Sequence, residues 1–150
     1  QSAVALAQLE KINKILNKQR KTYFNIVNNI DNSFYKLRQN VSKAVPVYSS
    51  IAIEFKTEKE CKKFIEFMNI NGIGFDVYCS HLIMDFDTFE KQQSWHISNF
   101  PYNITNYKKT KCSKTKNLFQ RVAWFNLSAS LKSKHIKYII KKLKEYQNEF

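Results

Sequence analysis

The residues best suited to chemistry lie between positions 78 and 96. They are Tyr78, Cys79, His81, Asp85, Asp87 and His96. His81 and Asp85 would share a face if their segment were helical, and both residue types ligate metals. The four-residue step between them and the distant His96 match no metal motif, so backbone or water can equally satisfy these groups. Cys79 stands two residues from His81, but nucleophilic chemistry needs the thiol beside its base, and the peptide between them gives no such pairing. Cys61, Cys79 and Cys112 are odd in number and widely spaced, which fits three reduced thiols better than a disulfide framework or a structural zinc site. Gly72 and Gly74 are the only glycines, and together they complete neither a G-x-G-x-x-G turn nor a Walker loop.

A second group is cationic. The run Tyr107 to Lys116 contains five lysines, and Lys132, Lys134, Lys137, Lys141, Lys142 and Lys144 follow it in a chain of formal net charge +13. Lysines neutralise phosphates, and Tyr102, Tyr107 and Trp124 are rings on which bases stack. Against that reading, 22 of the 25 cations are Lys and fifteen Asn accompany them, a pairing that AT-rich codons produce without any binding site. Arginine forks are nearly absent, and no helix-turn-helix, zinc-finger or RNP signature occurs. Nucleic acid is therefore not the expected partner. The sequons at Asn40, Asn103 and Asn126 have the same compositional explanation.

These residues are positioned by elements whose periods can be read directly. Leu6, Leu9, Ile12, Leu16, Tyr23, Val27 and Ile30 recur at steps of three, four and seven, which predicts one long amphipathic helix from Ser2 to about Asn29. Polar residues and Pro46 mark 31–47 as a connector. The period then changes to two, with Ile51, Ile53 and Phe55 on one face of a strand over 48–55. Thr57-Glu58-Lys59-Glu60 is a capping box opening a helix with Cys61, Phe64, Ile65 and Met68 inward, and Gly72 ends it. A strand over 73–79, a long irregular stretch from His81 to Thr110, a short helix capped by Ser113, a strand over 122–127 and a last helix capped by Ser133 complete the order. Ile136, Ile139, Ile140 and Leu143 form the inner stripe of that last helix.

One hundred and fifty residues, 43% of them apolar, are enough for a single domain with a real core. The order predicts an α+β fold: a long N-terminal helix leading into a sheet of about three strands, with helices packed on one face. No apolar run reaches membrane-span length and no signal-peptide series opens the chain, so a soluble, cytoplasmic protein is expected. The first helix is longer than so small a sheet needs, which predicts that part of its apolar face meets another domain or chain.

The opening segment carries a further signal. Gln1, Ala3, Leu6, Ala7, Gln8, Leu9 and Lys11 fall in register with a helix reading roughly Q-A-A-x-G-L-A-Q-L-x-K-L. In this it resembles the DegT/DnrJ/StrS family of pyridoxal-phosphate-dependent sugar aminotransferases, where that helix leaves the large cofactor domain and enters the small C-terminal one. Gln19-Arg20, Asn71-Gly72-Ile73, Cys112 and the segment 122–131 extend the likeness over nearly the whole chain. Ala5 stands at the family's usual Gly, Asp76 at a frequently basic position, Ser113 where Pro follows Cys, and Ser80-His81-Leu82-Ile83 where members often read Pro-Leu-His.

The resemblance implies that 1–150 is a single C-terminal small domain cut from a longer chain, with 1–30 an interdomain helix, 31–47 a connector and 48–150 an α/β sandwich. It implies amino transfer to a keto sugar, commonly nucleotide-linked, in glycan or amino-sugar biosynthesis. The pyridoxal phosphate and all of its ligands would lie in a missing N-terminal large domain, leaving no catalytic or cofactor-binding residue here, and the fragment alone would not catalyse. A homodimer is implied as well. The family's sugar-facing loop falls at 78–89, making His81, Tyr78 and Asp85 the candidate substrate-binding residues, with a scaffold role for His81 as the competing reading. Two other classes fit parts of the sequence: a small basic nucleic-acid-binding domain, and a dimerisation or interaction domain.

Overall fold

The computed structural model describes residues 2–79, 82–104 and 112–149. It has an α+β architecture, with helices α1 Ser2–Leu9, α2 Ile12–Val27, α3 Glu58–Ile70, α4 Asp87–Glu90, α5 Ser113–Phe119 and α6 Ser133–Glu149. Strands β1 Lys36–Leu37, β2 Ser50–Glu54, β3 Asp76–Val77 and β4 Val122–Asn126 form one sheet in the order β1-β2-β4-β3. Every neighbouring pair is antiparallel. Because β2 and β3 both run against β4, they are parallel to each other, and α3 is the crossover between them. The result is a split βαβ unit with β4 inserted. Among the described residues no helix is long and apolar enough to cross a membrane.

The strand alternation sets the two faces of the sheet. Ile51, Ile53 and Ala123 are buried and face α3 and α6, whose inner stripes are Cys61, Phe64 and Met68, and Ile136, Ile139 and Leu143. Phe64 is central, with ring centroids 5.0 Å from Phe55 and Phe75 and 5.1 Å from Tyr146. Ile65 and Ile140, expected inward, are only partly buried at the margins of the same core.

Both predicted ends of α3 form as expected. Thr57 Oγ1 accepts from the Glu60 N–H, and the Glu60 carboxylate accepts from the Thr57 N–H. At the other end Gly72 has φ +73°, its N–H donates to the Asn69 carbonyl, and the Ile73 N–H donates to the Met68 carbonyl. These two bonds make a Schellman motif. Ser113 and Ser133 are instead the first helical residues, and the carbonyls before them, of Cys112 and Lys132, accept from Lys116 and Ile136.

Three departures from the sequence reading have physical causes. The opening helix is interrupted at Glu10 and Lys11, where the Lys11 N–H bonds the Gln8 carbonyl in a tightened turn. No residue of α1 is buried, so no packing holds it in register with α2; Leu6 and Leu9 are 60% and 63% exposed. The sheet has a fourth strand, β1, inside the stretch 31–47. Tyr35 anchors that stretch: its ring is buried and its hydroxyl donates to the Leu143 carbonyl at 2.6 Å. Finally, the irregular region contains the short turns Ile83–Asp85 and α4, too brief to show a helical period.

Candidate functional site

Helices α3 and α6 cover one face of the sheet, and the other is open apart from its margin, where α5 abuts it. On the open face the register places Ala52 opposite Trp124, Glu54 opposite Val122, and Lys36 opposite Glu54. Tyr78 follows β3, and its N–H donates to the Val122 carbonyl at 2.9 Å, continuing the ladder beyond the last paired strand residue. The Tyr78 ring stands edge-on to Trp124 and to Phe119 of α5, with centroids 5.0 and 4.9 Å apart. The small side chain of Ala52 leaves a hollow between this aromatic wall and a polar wall of Lys36, Arg38 and Glu54, a groove of about 490 Å³.

The polar wall is ordered by one carboxylate. Glu54 Oε2 lies 2.7 Å from Lys36 Nζ, and Glu54 Oε1 lies 3.5 Å from Arg121 Nη2. Arg121 also donates from Nη1 to the carbonyls of Phe55 and Lys56, which fixes the guanidinium at the end of β2. The aromatic wall is fixed too, since the Trp124 indole N–H donates to Asn126 Oδ1 at 3.1 Å. With its one polar atom satisfied, Trp124 has only ring faces and edges left to offer.

The three residues singled out in the sequence are placed differently. Tyr78 is 44% exposed and lines the groove. Asp85 lies in the turn after position 81, where Oδ2 accepts from the Leu82 N–H at 3.0 Å and both oxygens lie 3.4 Å from Lys116 Nζ. This carboxylate holds the turn and ties it to α5. His81, like residues 107–111 of the lysine run, lies outside the described residues. Asp87 pairs with Lys91 at 2.6 Å, and the pair raises the Lys91 pKa by its hydrogen bond. His96 Nδ1 meets the Ser98 hydroxyl at 2.8 Å within its own turn. Of the lysines on α6, Lys142 is held 2.6 Å from Glu145, which raises the Lys142 pKa and lowers that of Glu145.

The sequence reading did not assemble Lys36, Arg38, Glu54 and Phe119 with Tyr78 and Trp124. Its one usable signal was the alternation in Val122-Ala123-Trp124-Phe125-Asn126, which puts Trp124 on the face opposite Ala123. Among the described residues no lysine is buried.

Comparison with known proteins agrees with this architecture. The DegT/DnrJ/EryC1/StrS aminotransferase family profile matches residues 1–144. The chain belongs to that family. A DegT DnrJ EryC1 StrS aminotransferase from Brucella abortus superimposes with a TM-score of 0.72 at 12% identity, over 97% of this chain and 35% of that one. Spr1654 of Streptococcus pneumoniae, described as a sugar aminotransferase, superimposes in its apo-form with a TM-score of 0.67 at 15% identity, over 96% of this chain and 33% of that one. Its PMP-form gives a TM-score of 0.67 at 14% identity. This member of the DegT/DnrJ/EryC1/StrS family thus spans about a third of the length of these solved relatives. No curated protein sequence matches it.

Proposed function

We propose that this chain is the small domain of a pyridoxal-phosphate-dependent aminotransferase that transfers an amino group to a nucleotide-linked keto sugar, and that its open sheet face forms one wall of the substrate cleft. The observation that carries the reading is the joining of family membership over 1–144 to a groove with one aromatic and one polar wall on the sheet face that the helices leave open. Sugars present apolar C–H faces and hydroxyl edges, and a groove of that composition suits both. When bound, the cofactor supplies the electron sink for amino transfer. On this reading the cofactor lysine and the phosphate ligands lie in the large domain of the full-length protein.

The residues here bind and orient. Tyr78 lines the groove, His81 is the candidate three positions on in the sequence, and Asp85 holds the turn that begins at Leu82 by accepting from the Leu82 N–H and pairing with Lys116. The exposed apolar residues Val4, Leu6, Leu9 and Ile12 provide the contact with the large domain or with a second subunit of a cytoplasmic homodimer. The test is made on the full-length protein with the cofactor bound. Glutamate and a nucleotide-linked keto sugar are supplied, and the amino sugar is measured by mass spectrometry. Transfer to the keto sugar is expected. Transfer to simple keto acids but to no keto sugar would reject the reading.

A further inference from the structure

The loop over 91–104 turns its polar groups onto itself and its large apolar side chains away from the domain. Asn99, half-buried, is the clasp: its Oδ1 accepts from the Ser94 N–H at 2.7 Å and its Nδ2 donates to the Gln92 carbonyl at 3.0 Å. Within the clasp the His96 N–H donates to the Ser94 hydroxyl at 3.1 Å, and His96 Nδ1 meets the Ser98 hydroxyl. At the base of the loop the Tyr102 ring stands edge-on to Phe89, with centroids 5.9 Å apart. Trp95 and Ile97 lie between the clasped positions and are 98% and 100% exposed, and Phe100 and Ile104 after them are exposed as well. The loop is thus closed by polar bonds and not by burying Trp95 or Ile97. Large apolar side chains presented together in this way mark an interaction surface.

The charge around the loop selects among partners. From position 91 to 121 the sequence has seven Lys and Arg and no Asp or Glu. The carboxylates just before it are Asp85, Asp87 and Glu90, and the first two meet Lys116 and Lys91, so 83–121 has a formal surplus of +4. A second copy would bring the same surplus to the contact, and facing like charges oppose it. Nucleic acid matches the charge and stacks on Trp95, but Ile97 and Ile104 offer a base no ring. A bilayer surface containing anionic lipid uses every feature: Trp resides at headgroup level, isoleucine enters the acyl boundary and lysines meet the phosphates. We propose that this loop docks the protein on an anionic phospholipid surface, with Trp95 and Ile97 inserted between the headgroups. A few apolar side chains backed by a modest cationic surplus give a reversible contact at the surface.

Sedimentation of the full-length protein with phosphatidylcholine vesicles, with and without about 30% phosphatidylglycerol, tests it at physiological salt. Binding to the anionic vesicles should be saturable, at least about tenfold tighter than to pure phosphatidylcholine, and weaker as salt rises. The double variant Trp95→Ser with Ile97→Ser keeps every charge and changes only exposed side chains. Its thermal midpoint should match the parent's while its vesicle affinity falls at least about tenfold. Trp95→Phe alone should keep most of the affinity, and bromine-labelled lipid should quench the parent's fluorescence more than that variant's. Undiminished binding by the double variant would show that charge alone holds the protein and would overturn the insertion. Absence of vesicle binding, or equal binding to both vesicle types, would overturn the docking. In that event a Trp95-dependent complex with a single-stranded oligonucleotide, or a Trp95-dependent dimer in sedimentation velocity, assigns the loop to that partner instead. No arm reads amino transfer, so none of these outcomes bears on the enzymatic reading.

Discussion

Lys116 Nζ lies 3.4 Å from both carboxylate oxygens of Asp85, joining α5 to the turn that follows position 81 across 31 residues of chain. The same carboxylate accepts from the Leu82 N–H, so one side chain closes the turn and attaches it to the helix whose Phe119 meets Tyr78. The sequence offered Asp85 as a substrate-binding candidate, and in the structure its carboxylate also closes this turn.

Asp85→Asn should therefore loosen the loop without unfolding the domain. Both members of the pair are partly exposed, and such pairs contribute no more than about 1 kcal/mol. Amide exchange at Leu82 should quicken markedly while global stability, by chemical denaturation, falls by less than about 1 kcal/mol. An unchanged Leu82 amide would place the restraint elsewhere.

The two glycines should respond in opposite ways. Neither would bring an added Cβ within 4 Å of another group, so only backbone conformation differs between them. Gly72 sits at φ +73° in the C-cap, and Gly72→Ala should cost roughly 1–2 kcal/mol. Gly74 has no positive φ, and Gly74→Ala should be neutral or stabilise by up to about 1 kcal/mol through the unfolded chain. Urea midpoints of the two variants, read with unchanged m-values, check both signs.

How far the fold could be read in advance follows from which signals are local. The capping box at Thr57, the Gly72 stop and the inner stripes of α3 and α6 depend on neighbours within a few residues, and they appear where the spacing put them except that Ile65 and Ile140 fall at the margin. β1 was not legible because two residues carry no period; the stretch is held on the domain by distant partners, among them Leu143, whose carbonyl, 108 positions away, accepts from the buried Tyr35. The break after Leu9 was hidden for the opposite reason. Its apolar period is sound, but the stripe meets nothing in this domain that would hold it to one axis. The groove depends on pairing β2 with β4, and no single sequence states which strands are neighbours. Tyr78 could be found because it ends a strand, whereas Arg38 has no local mark at all.

Cys61 provides a pH test of the core. Burial is the main cause that pushes its thiol up from 9.0 to about 11, with the Glu58 carboxylate adding to the rise and Lys62 opposing it. A raised folded-state pKa means that the thiol's contribution to stability is complete below pH 9 and is lost as pH rises toward 11. Stability should fall across that window, and Cys61→Ala, though less stable at neutral pH from the lost packing, should show a shallower fall. Denaturation midpoints of the two proteins at several alkaline pH values decide it. Parallel curves would contradict the assignment.

The central claim is that the open sheet face of this domain meets the sugar, and the two half-reactions of the full-length protein separate that role from a general one. Single-turnover absorbance changes follow conversion by the amino donor and conversion by the keto sugar independently, in the parent protein and in Tyr78→Ala and His81→Ala. The account predicts that the keto-sugar half slows by about tenfold or more in both variants while the amino-donor half stays within about twofold. Equal losses in both halves, or a loss confined to the amino donor, would contradict it.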